Sequence, residues 1–176
     1  GEYDQENTKK DTSTKQDSGT PPLSGVSQRM EAAFSADGTM MVLTRWSNDF
    51  EKTDPVKTGA DLYLTSWNGK AWTRPVLLAD LNTQSNERGA AFSRDGNYLY
   101  FSSDRKSGAG GYDIYVARFD GENWTGVERL SNSVNSPKDE TGPASSTDDM
   151  KLYFSRDRKS ENQAQDIYVA HRAETK

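Results

Sequence analysis

The chain contains three versions of the segment Phe92-Ser93-Arg94-Asp95-Gly96-Asn97-Tyr98-Leu99-Tyr100-Phe101-Ser102. Phe34-Ser35-Ala36-Asp37-Gly38 precedes it in the same frame, and Ser145-Ser146-Thr147-Asp148-Asp149 follows it. The first version lies 58 residues before the second, and the third lies 53 residues after it. Repetition at such a long period is typical of stacked or circular arrays, so we interpret the fold from the repeat.

Two other landmarks recur in the same order, one in every unit and one in the first two units. Asp113-Ile114-Tyr115-Val116 has counterparts at Asp61-Leu62-Tyr63-Leu64 and Asp166-Ile167-Tyr168-Val169, and Trp124 is matched by Trp72 in the first unit. The segments that join the units, 81–87 and 134–140, are also similar. Positions that recur in this way build the repeat, and we assign this structural role to Phe34, Asp37, Gly38, Asp61, Tyr63, Trp72, Phe92, Asp95, Gly96, Asp113, Tyr115, Trp124, Asp148, Asp166 and Tyr168.

Each unit predicts four short β-strands, because alternating apolar, β-branched and aromatic residues are separated by Gly, Asn and Asp. In the second unit we place the strands at 89–94, 98–103, 112–118 and 123–130. Asp95-Gly96 and Asp120-Gly121 suit the tight turns of β-hairpins. The third unit has Asp149 where the others have glycine. The pattern predicts an all-β fold of β-propeller blades, as three four-stranded antiparallel repeats.

The number of repeats indicates a partial or oligomer-completed propeller, because closed propellers have four to eight blades. The last repeat is predicted to be incomplete, since the chain stops after its third strand. The chain is then a piece of a longer propeller, half of a six-bladed homodimer, or an open array capped by a partner. An open edge strand is expected to recruit another chain.

The domain organisation follows from composition. Residues 1–28 are polar and are expected to form a disordered tail or linker. Residues 29–176 are predicted to form the β-propeller domain, with blades at about 29–87, 88–140 and 141–176. The chain has no run of 18 apolar residues, so we expect no transmembrane segment.

The net charge and the composition exclude some classes of partner and of catalysis. The net charge of -5 argues against a nucleic-acid partner. Cysteine is absent, which excludes thiol catalysis, and His171 is the only histidine. We predict no metal and no cofactor. Carboxylates at Asp61, Asp113 and Asp166 fit a glycosidase pair or a calcium site, or they cap strand amides and fix the preceding loops. We favour the structural alternative and predict no catalytic residue.

The candidate binding residues are unshared aromatics and repeated arginines. Trp46 and Trp67 have no aromatic counterpart in the sequence alignment of the units, which favours a recognition surface. Arg105 and Arg158 follow the second strand in their units, and Arg45 lies at a similar place. These arginines either bind a carboxylate or phosphate, or form salt bridges between neighbouring blades.

The pattern Phe-Ser-x-Asp-Gly, followed by Leu-Tyr-Phe-Ser-Ser-Asp-Arg and Gly-Gly-Tyr-Asp-Ile-Tyr-Val, resembles the TolB-type, WD-like propeller repeat. Residues 98–116 carry the strongest similarity, and the resemblance extends over about 29–171. It is similar in particular to propellers of bacterial envelope proteins that occur beside OmpA-like domains. The resemblance implies a position in the periplasm or cell envelope, and it is compatible with a lipid anchor attached through a removed N-terminal signal.

Two functions follow from this resemblance. The first is a non-catalytic module that scaffolds protein–protein or cell-wall interactions in an envelope assembly, with a protein partner or a cell-wall glycan as ligand. The alternative is a carbohydrate-active or peptidase-associated propeller domain, similar to those of glycoside hydrolases. The enzyme would need an acid and base pair that stands out from the repeat, and no such pair is evident in the sequence.

Overall fold

The computed structural model describes residues 31–46, 59–158 and 164–172, and the predicted tail lies outside them. Eleven strands are described, which are β1 (Glu31–Phe34), β2 (Met40–Trp46), β3 (Ala60–Ser66), β4 (Val76–Leu77), β5 (Glu87–Phe92), β6 (Tyr98–Ser103), β7 (Asp113–Phe119), β8 (Trp124–Arg129), β9 (Glu140–Ser145), β10 (Lys151–Asp157) and β11 (Gln165–His171). They form three antiparallel sheets, ordered β1-β2-β3-β4, β5-β6-β7-β8 and β9-β10-β11. The described residues contain no helix. The predicted all-β blades with an incomplete last repeat are confirmed.

A hairpin turn with an internal hydrogen bond joins the first two strands of each blade. The hydroxyl of Ser35 donates to Asp37 at 2.6 Å, and Ser93 donates to Asp95 at 2.6 Å. Gly38 and Gly96 follow with φ angles of 69° and 74°. The turn needs a left-handed backbone at this position, and glycine adopts that conformation most readily because it has no Cβ atom.

In the third turn, Asp149 takes the place of glycine and has a φ of 56°. Its carboxylate reaches the second blade, where it accepts hydrogen bonds from the backbone N–H of Arg94 at 2.8 Å and of Asp95 at 3.2 Å. Ser145 of its own blade donates to the same carboxylate at 2.6 Å. Asp149 therefore links two blades, which compensates for the strained backbone that an aspartate adopts here.

Asp149→Ala is expected to lower the free energy of unfolding by about 2 kcal/mol, because it removes both hydrogen bonds to the second blade and keeps the strain. Asp149→Gly removes the same bonds but relieves the strain, so its loss is expected to be smaller. Urea denaturation followed by circular dichroism measures both. Equal losses in the two variants would contradict the role given to the backbone angle.

The first strands of the three blades lie next to one another, as in a radial array. Gly89 of β5 and Gly142 of β9 have φ angles of 62° and 60°, near shifts in the strand register. A Cβ atom on Gly89 would lie 3.6 Å from the Gly142 nitrogen. The N–H of Gly89 also donates to Glu31 of the first blade at 2.8 Å. Both positions therefore favour glycine for their left-handed backbone, because a Cβ atom would have room at either of them.

Asparagine side chains attach the segments between blades to the sheets that precede them. The Asn135 side chain accepts a hydrogen bond from Ile114 N–H at 2.7 Å and donates to the carbonyls of Ile114 and Leu130, each at 2.9 Å. Asn82 makes the corresponding three bonds in the first blade, to Leu62 and Leu78. The amide thus replaces a strand partner, which satisfies backbone groups that would otherwise be buried without hydrogen bonds.

Buried glutamates hold the other end of these segments. Glu87 accepts hydrogen bonds from the Thr83 N–H at 2.9 Å and from the Thr83 hydroxyl at 2.6 Å. Glu140 accepts the same pair of bonds from Ser136. Both carboxylates are fully buried. The similarity between 81–87 and 134–140 in the sequence therefore reflects one hydrogen-bonded clasp that is used twice.

The hydrophobic core consists of two clusters, one between each pair of neighbouring blades. We call the cluster between the first and second blades the first seam, and it buries Val42, Leu62, Leu81, Phe92, Leu99, Phe101, Tyr115, Ala117 and Trp124. The second seam, between the second and third blades, buries Ile114, Val134, Leu152 and Phe154. Neighbouring sheets therefore cover one another at these two seams.

Candidate binding surface

Three aromatic side chains meet on the first blade, and we call them the aromatic cluster: Phe34, Trp67 and Trp72. The ring centroids of Phe34 and Trp72 are 5.9 Å apart, and those of Trp67 and Trp72 are 5.7 Å apart, both with edge-to-face geometry. Phe34 is 57% exposed and Trp67 is 42% exposed. The cluster is thus an organised aromatic surface that is open to solvent.

A similar group of three rings is largely buried in the second blade. Phe92 and Trp124 lie 5.8 Å apart, and Phe119 and Trp124 lie 5.1 Å apart, within the first seam. The face of the first blade that carries the aromatic cluster is thus equivalent to the face that the second blade packs against its neighbour. The geometry of these rings is therefore suited to contact with another protein surface.

The position of Trp67 corrects one step of the sequence alignment. Its N–H donates to the carbonyl of Thr39 at 2.7 Å, as the N–H of Phe119 does to Asn97 at 2.8 Å. Trp67 therefore has an aromatic counterpart, Phe119, and is not unshared. The hydrogen-bond register shows this equivalence, whereas the sequence alignment matched Trp67 with Arg118.

Trp46 lies away from the aromatic cluster. It is opposite Ala60 at one end of the blade, whereas Trp67 follows Ser66 at the other, so the two are about 20 Å apart. Trp46 is half-buried, and the Arg88 guanidinium of the second blade lies 5.9 Å from its ring and 4.2 Å from the Tyr112 ring. The two predicted tryptophans therefore do not share one surface.

Arg105 is part of the clasp around Glu87. Its guanidinium lies 3.3 Å from the buried carboxylate and donates to the Leu81 carbonyl at 2.8 Å. It also lies 4.5 Å from the Tyr115 ring. Arg105 is thus engaged within the fold, so an incoming anion would compete with Glu87 for the guanidinium.

The structural counterpart of Arg105 in the third blade is Arg156, and not Arg158. Arg156 donates to Glu140 at 2.6 Å and lies 4.5 Å from the Tyr168 ring. Arg45 has the same strand register as Arg156, and its guanidinium lies 6.0 Å from the Tyr63 ring. In each blade a guanidinium therefore lies beside the repeated tyrosine. The arginine that provides it occupies a different repeat position in the second blade than in the other two.

Arg158 forms an exposed ion pair with Asp166 within the third blade. Exposed pairs contribute little to stability, so this pair chiefly orients the two side chains. Asp113 is fully buried and accepts hydrogen bonds from Ala109 N–H at 2.7 Å and Gly110 N–H at 3.3 Å. Asp61 is also buried. These contacts of Asp113 match the loop-fixing role that we favoured in the sequence.

The carboxylates of the hairpin turns have lowered pKa values. The hydroxyl of Ser35, followed by the N–H and hydroxyl of Thr39, lowers the pKa of Asp37 from 3.8 to about 2. The pKa of Asp95 is lowered chiefly by the Ser93 hydroxyl. The Ser146 hydroxyl is likewise the main cause of the lowered pKa of Asp148. The charged form of each aspartate is therefore the form that the folded turn prefers.

These pKa shifts predict that stability falls in acid. Because the pKa of Asp37 is lower in the folded than in the unfolded chain, its contribution is present above about pH 4 and is lost toward pH 2. Thermal melting between pH 7 and pH 2 tests this expectation. Asp37→Asn should weaken the dependence on pH below 4, and an unchanged profile would show that the turn does not titrate as proposed.

No group of three or more His, Cys, Asp or Glu side chains within 31–46, 59–158 and 164–172 is arranged to hold a metal ion. In the same residues, no helix has the length and apolar character needed to cross a bilayer.

No protein-family model and no curated protein matches the chain. Solved structures do match. TolB from Acinetobacter baumannii has 18% sequence identity and a TM-score of 0.54, over 84% of this chain and 30% of that chain. The putative TolB from Agrobacterium tumefaciens has 20% identity and a TM-score of 0.55, over 82% of this chain and 47% of that chain.

These similarities confirm the fold that the repeat motif predicted, a TolB-like β-propeller. The chain spans less than half the length of either structure. At this level of identity the comparison concerns the fold, and the function is argued below from the side chains.

Proposed function

We propose that the chain is a non-catalytic β-propeller module that binds a protein partner in a bacterial envelope assembly. The observation that carries the proposal is the exposed aromatic cluster of Phe34, Trp67 and Trp72. Aromatic side chains are enriched among the residues that anchor protein interfaces. The location in the envelope rests on the repeat motif and on the fold shared with TolB structures. The OmpA association, the lipid anchor and the homodimer stay predictions.

The mechanism is the rigid presentation of a preformed surface. The rings of the aromatic cluster contact one another edge to face on a blade that is fixed by the first seam. A partner that covers them gains the burial of aromatic area, and little side-chain entropy is lost because the rings are already packed. The candidate arginines contribute through the fold in this proposal, since Arg105 is held by Glu87 and Arg158 by Asp166.

Site-specific photocrosslinking tests the proposal. A photoreactive phenylalanine analogue at position 34 is expected to crosslink one protein from a bacterial envelope extract, in a saturable manner. The same analogue at the exposed turn residue Arg94 is the control and should not crosslink it. Trp67→Ala should reduce the crosslink about tenfold or more, because truncation of an aromatic anchor typically costs at least about 2 kcal/mol.

Further outcomes separate the alternatives. Crosslinks of equal yield at positions 34 and 94 would contradict a specific surface on the first blade. Cosedimentation with purified peptidoglycan that depends on Trp67 would assign the cluster to a cell-wall glycan instead of a protein. Release of products from glycans or peptides would favour the carbohydrate-active or peptidase-associated alternative.

A further inference from the structure

A groove of about 310 Å³ lies on the outer rim between the first and second blades. β4, the edge strand of the first sheet, lies along one side, and the turn that joins β7 to β8 lies along the other. The apolar wall of the groove is formed by Leu64, Val76, Leu77, Leu78, Leu81 and Trp124. A radial array places further blades beside the first or the third, so the groove is a property of these two blades alone.

The outer strand of the first blade is apolar where that of the second blade is charged. Val76 and Leu77 form β4. In the strand register they correspond to Glu128 and Arg129 of β8. Val76 is 66% exposed and Leu77 is 44% exposed. The repeat therefore does not require apolar residues at these positions, and an exposed apolar surface that continues into a groove is typical of a binding site.

Two carboxylates lie at the border of the groove. Asp80 follows β4, and Glu122 lies in the turn of the second blade. Both residues are exposed. They are the two charged residues of the groove lining, which contains no basic residue in the part of the chain that the structure describes. Because opposite charges favour association, the groove suits an apolar ligand that carries basic groups beside its apolar part.

β4 offers few main-chain hydrogen bonds to a ligand. The strand has two residues, and Pro75, which has no backbone N–H, precedes it. Short edge strands and proline are features that prevent the addition of a further strand. A helix makes its main-chain hydrogen bonds within itself, so a helix suits this groove better than an extended segment does.

We propose that this groove binds an amphipathic α-helix of a partner protein, and that the polar face of the helix is basic. Large apolar side chains of the helix enter between β4 and the turn of the second blade, and lysine or arginine side chains beside them pair with Asp80 and Glu122. Helices bind apolar grooves in this way through residues at positions i, i+3, i+4 and i+7. The inference goes beyond the proposed function, because the groove and the aromatic cluster share no residue.

A labelled helical peptide of about 18 residues is the probe, built from lysine and alanine with leucines at helical spacing. Fluorescence anisotropy with the full chain is expected to show saturable binding. Val76→Glu combined with Leu77→Arg gives β4 the residues that the second blade has in this register, so the fold should be kept. This double variant should bind the peptide about tenfold more weakly or worse, with circular dichroism as the check on folding.

A second pair of substitutions tests the charges. Asp80→Asn combined with Glu122→Gln should weaken binding of the peptide about fivefold, because two ion pairs are lost. Glu128→Gln is the matched control, since Glu128 is an exposed glutamate of β8 that does not line the groove. Its affinity for the peptide should equal that of the unchanged chain.

Several outcomes would overturn the proposal. Equal affinity of a peptide with serine in place of leucine would show that charge alone attracts the helix. Equal affinity of a peptide with glutamate in place of lysine would remove the role of the two carboxylates. Self-association of the chain that the β4 double variant abolishes would show that a second copy occupies the groove. Trp67→Ala should leave peptide binding unchanged, so failure of this proposal and failure of the proposed function are distinguishable.

Discussion

Glu87→Ala is expected to lower the free energy of unfolding by about 3–5 kcal/mol, because it leaves the charge of Arg105 without its buried partner. The carboxylate is fully buried and accepts hydrogen bonds from Thr83, Ser103 and Arg105. Its removal therefore releases both the segment between the first two blades and the end of β6. A loss of this size is a large share of the stability of an ordinary domain.

Urea denaturation of the full chain, followed by circular dichroism, measures this loss. Glu122→Ala is the matched control, since Glu122 is an exposed glutamate in a turn of the same blade. Its effect should stay within about 0.5 kcal/mol. If the two variants unfold at the same urea concentration, the clasp around Glu87 does not hold the blades together as inferred.

Trp124→Ala is expected to cost about 3–5 kcal/mol, the usual range for a large aromatic residue removed from a core. Trp124 is fully enclosed in the first seam, where it contacts Phe92 and Phe119. Truncation leaves a cavity between the first and second blades, which pack against each other through this seam. The seam, and not only one sheet, is expected to loosen.

Trp72→Ala supplies an internal control for this prediction. Trp72 makes the same edge contact with Phe34 that Trp124 makes with Phe92, but it is only half-buried. Its replacement should cost about 1 kcal/mol, in proportion to the smaller area removed from water. Thermal and urea unfolding of both variants compare the two sites directly. Equal losses would show that burial in the first seam does not increase the contribution of Trp124 to the free energy of unfolding.

The repeat predicted most of the fold because its signals are local. In the second unit the predicted strands agree with β5 to β8 to within two residues at each end. Turns such as Asp95-Gly96 are determined by backbone preferences of the residues themselves. The parallel between 81–87 and 134–140 likewise reflects hydrogen bonds within one short segment and its nearest strands.

The roles of the arginines were not predictable in the same way. An arginine side chain is long enough to reach one place from two different backbone positions. Arg156 reaches Glu140 from within β10, whereas Arg105 reaches Glu87 from two residues beyond β6. Alignment by residue type therefore paired Arg105 with Arg158, which lies at the surface. Register, which only the hydrogen bonds between strands reveal, corrected the assignment.

Exposure was also not predictable from the repeat. Phe34 and Phe92 occupy the same repeat position, yet one is largely exposed and the other is buried. Burial at this position depends on the blade on the other side, and not on the residue or its own sheet. For this reason the sequence predicted a structural role for Phe34 and a binding role for Trp67, although both belong to the aromatic cluster.

The clasp between blades has a consequence for how such a chain changes over evolutionary time. At the joint between the second and third blades, Asn135 binds the preceding sheet, and Glu140 of the following sheet binds Ser136 and Arg156. Asn82 and Glu87 repeat this pattern at the joint between the first and second blades. A tandem duplication of one unit would therefore copy the joint together with the blade. Insertion or loss of a whole unit leaves the remaining joints intact, so the gene can gain or lose blades without new residues having to arise at the junctions.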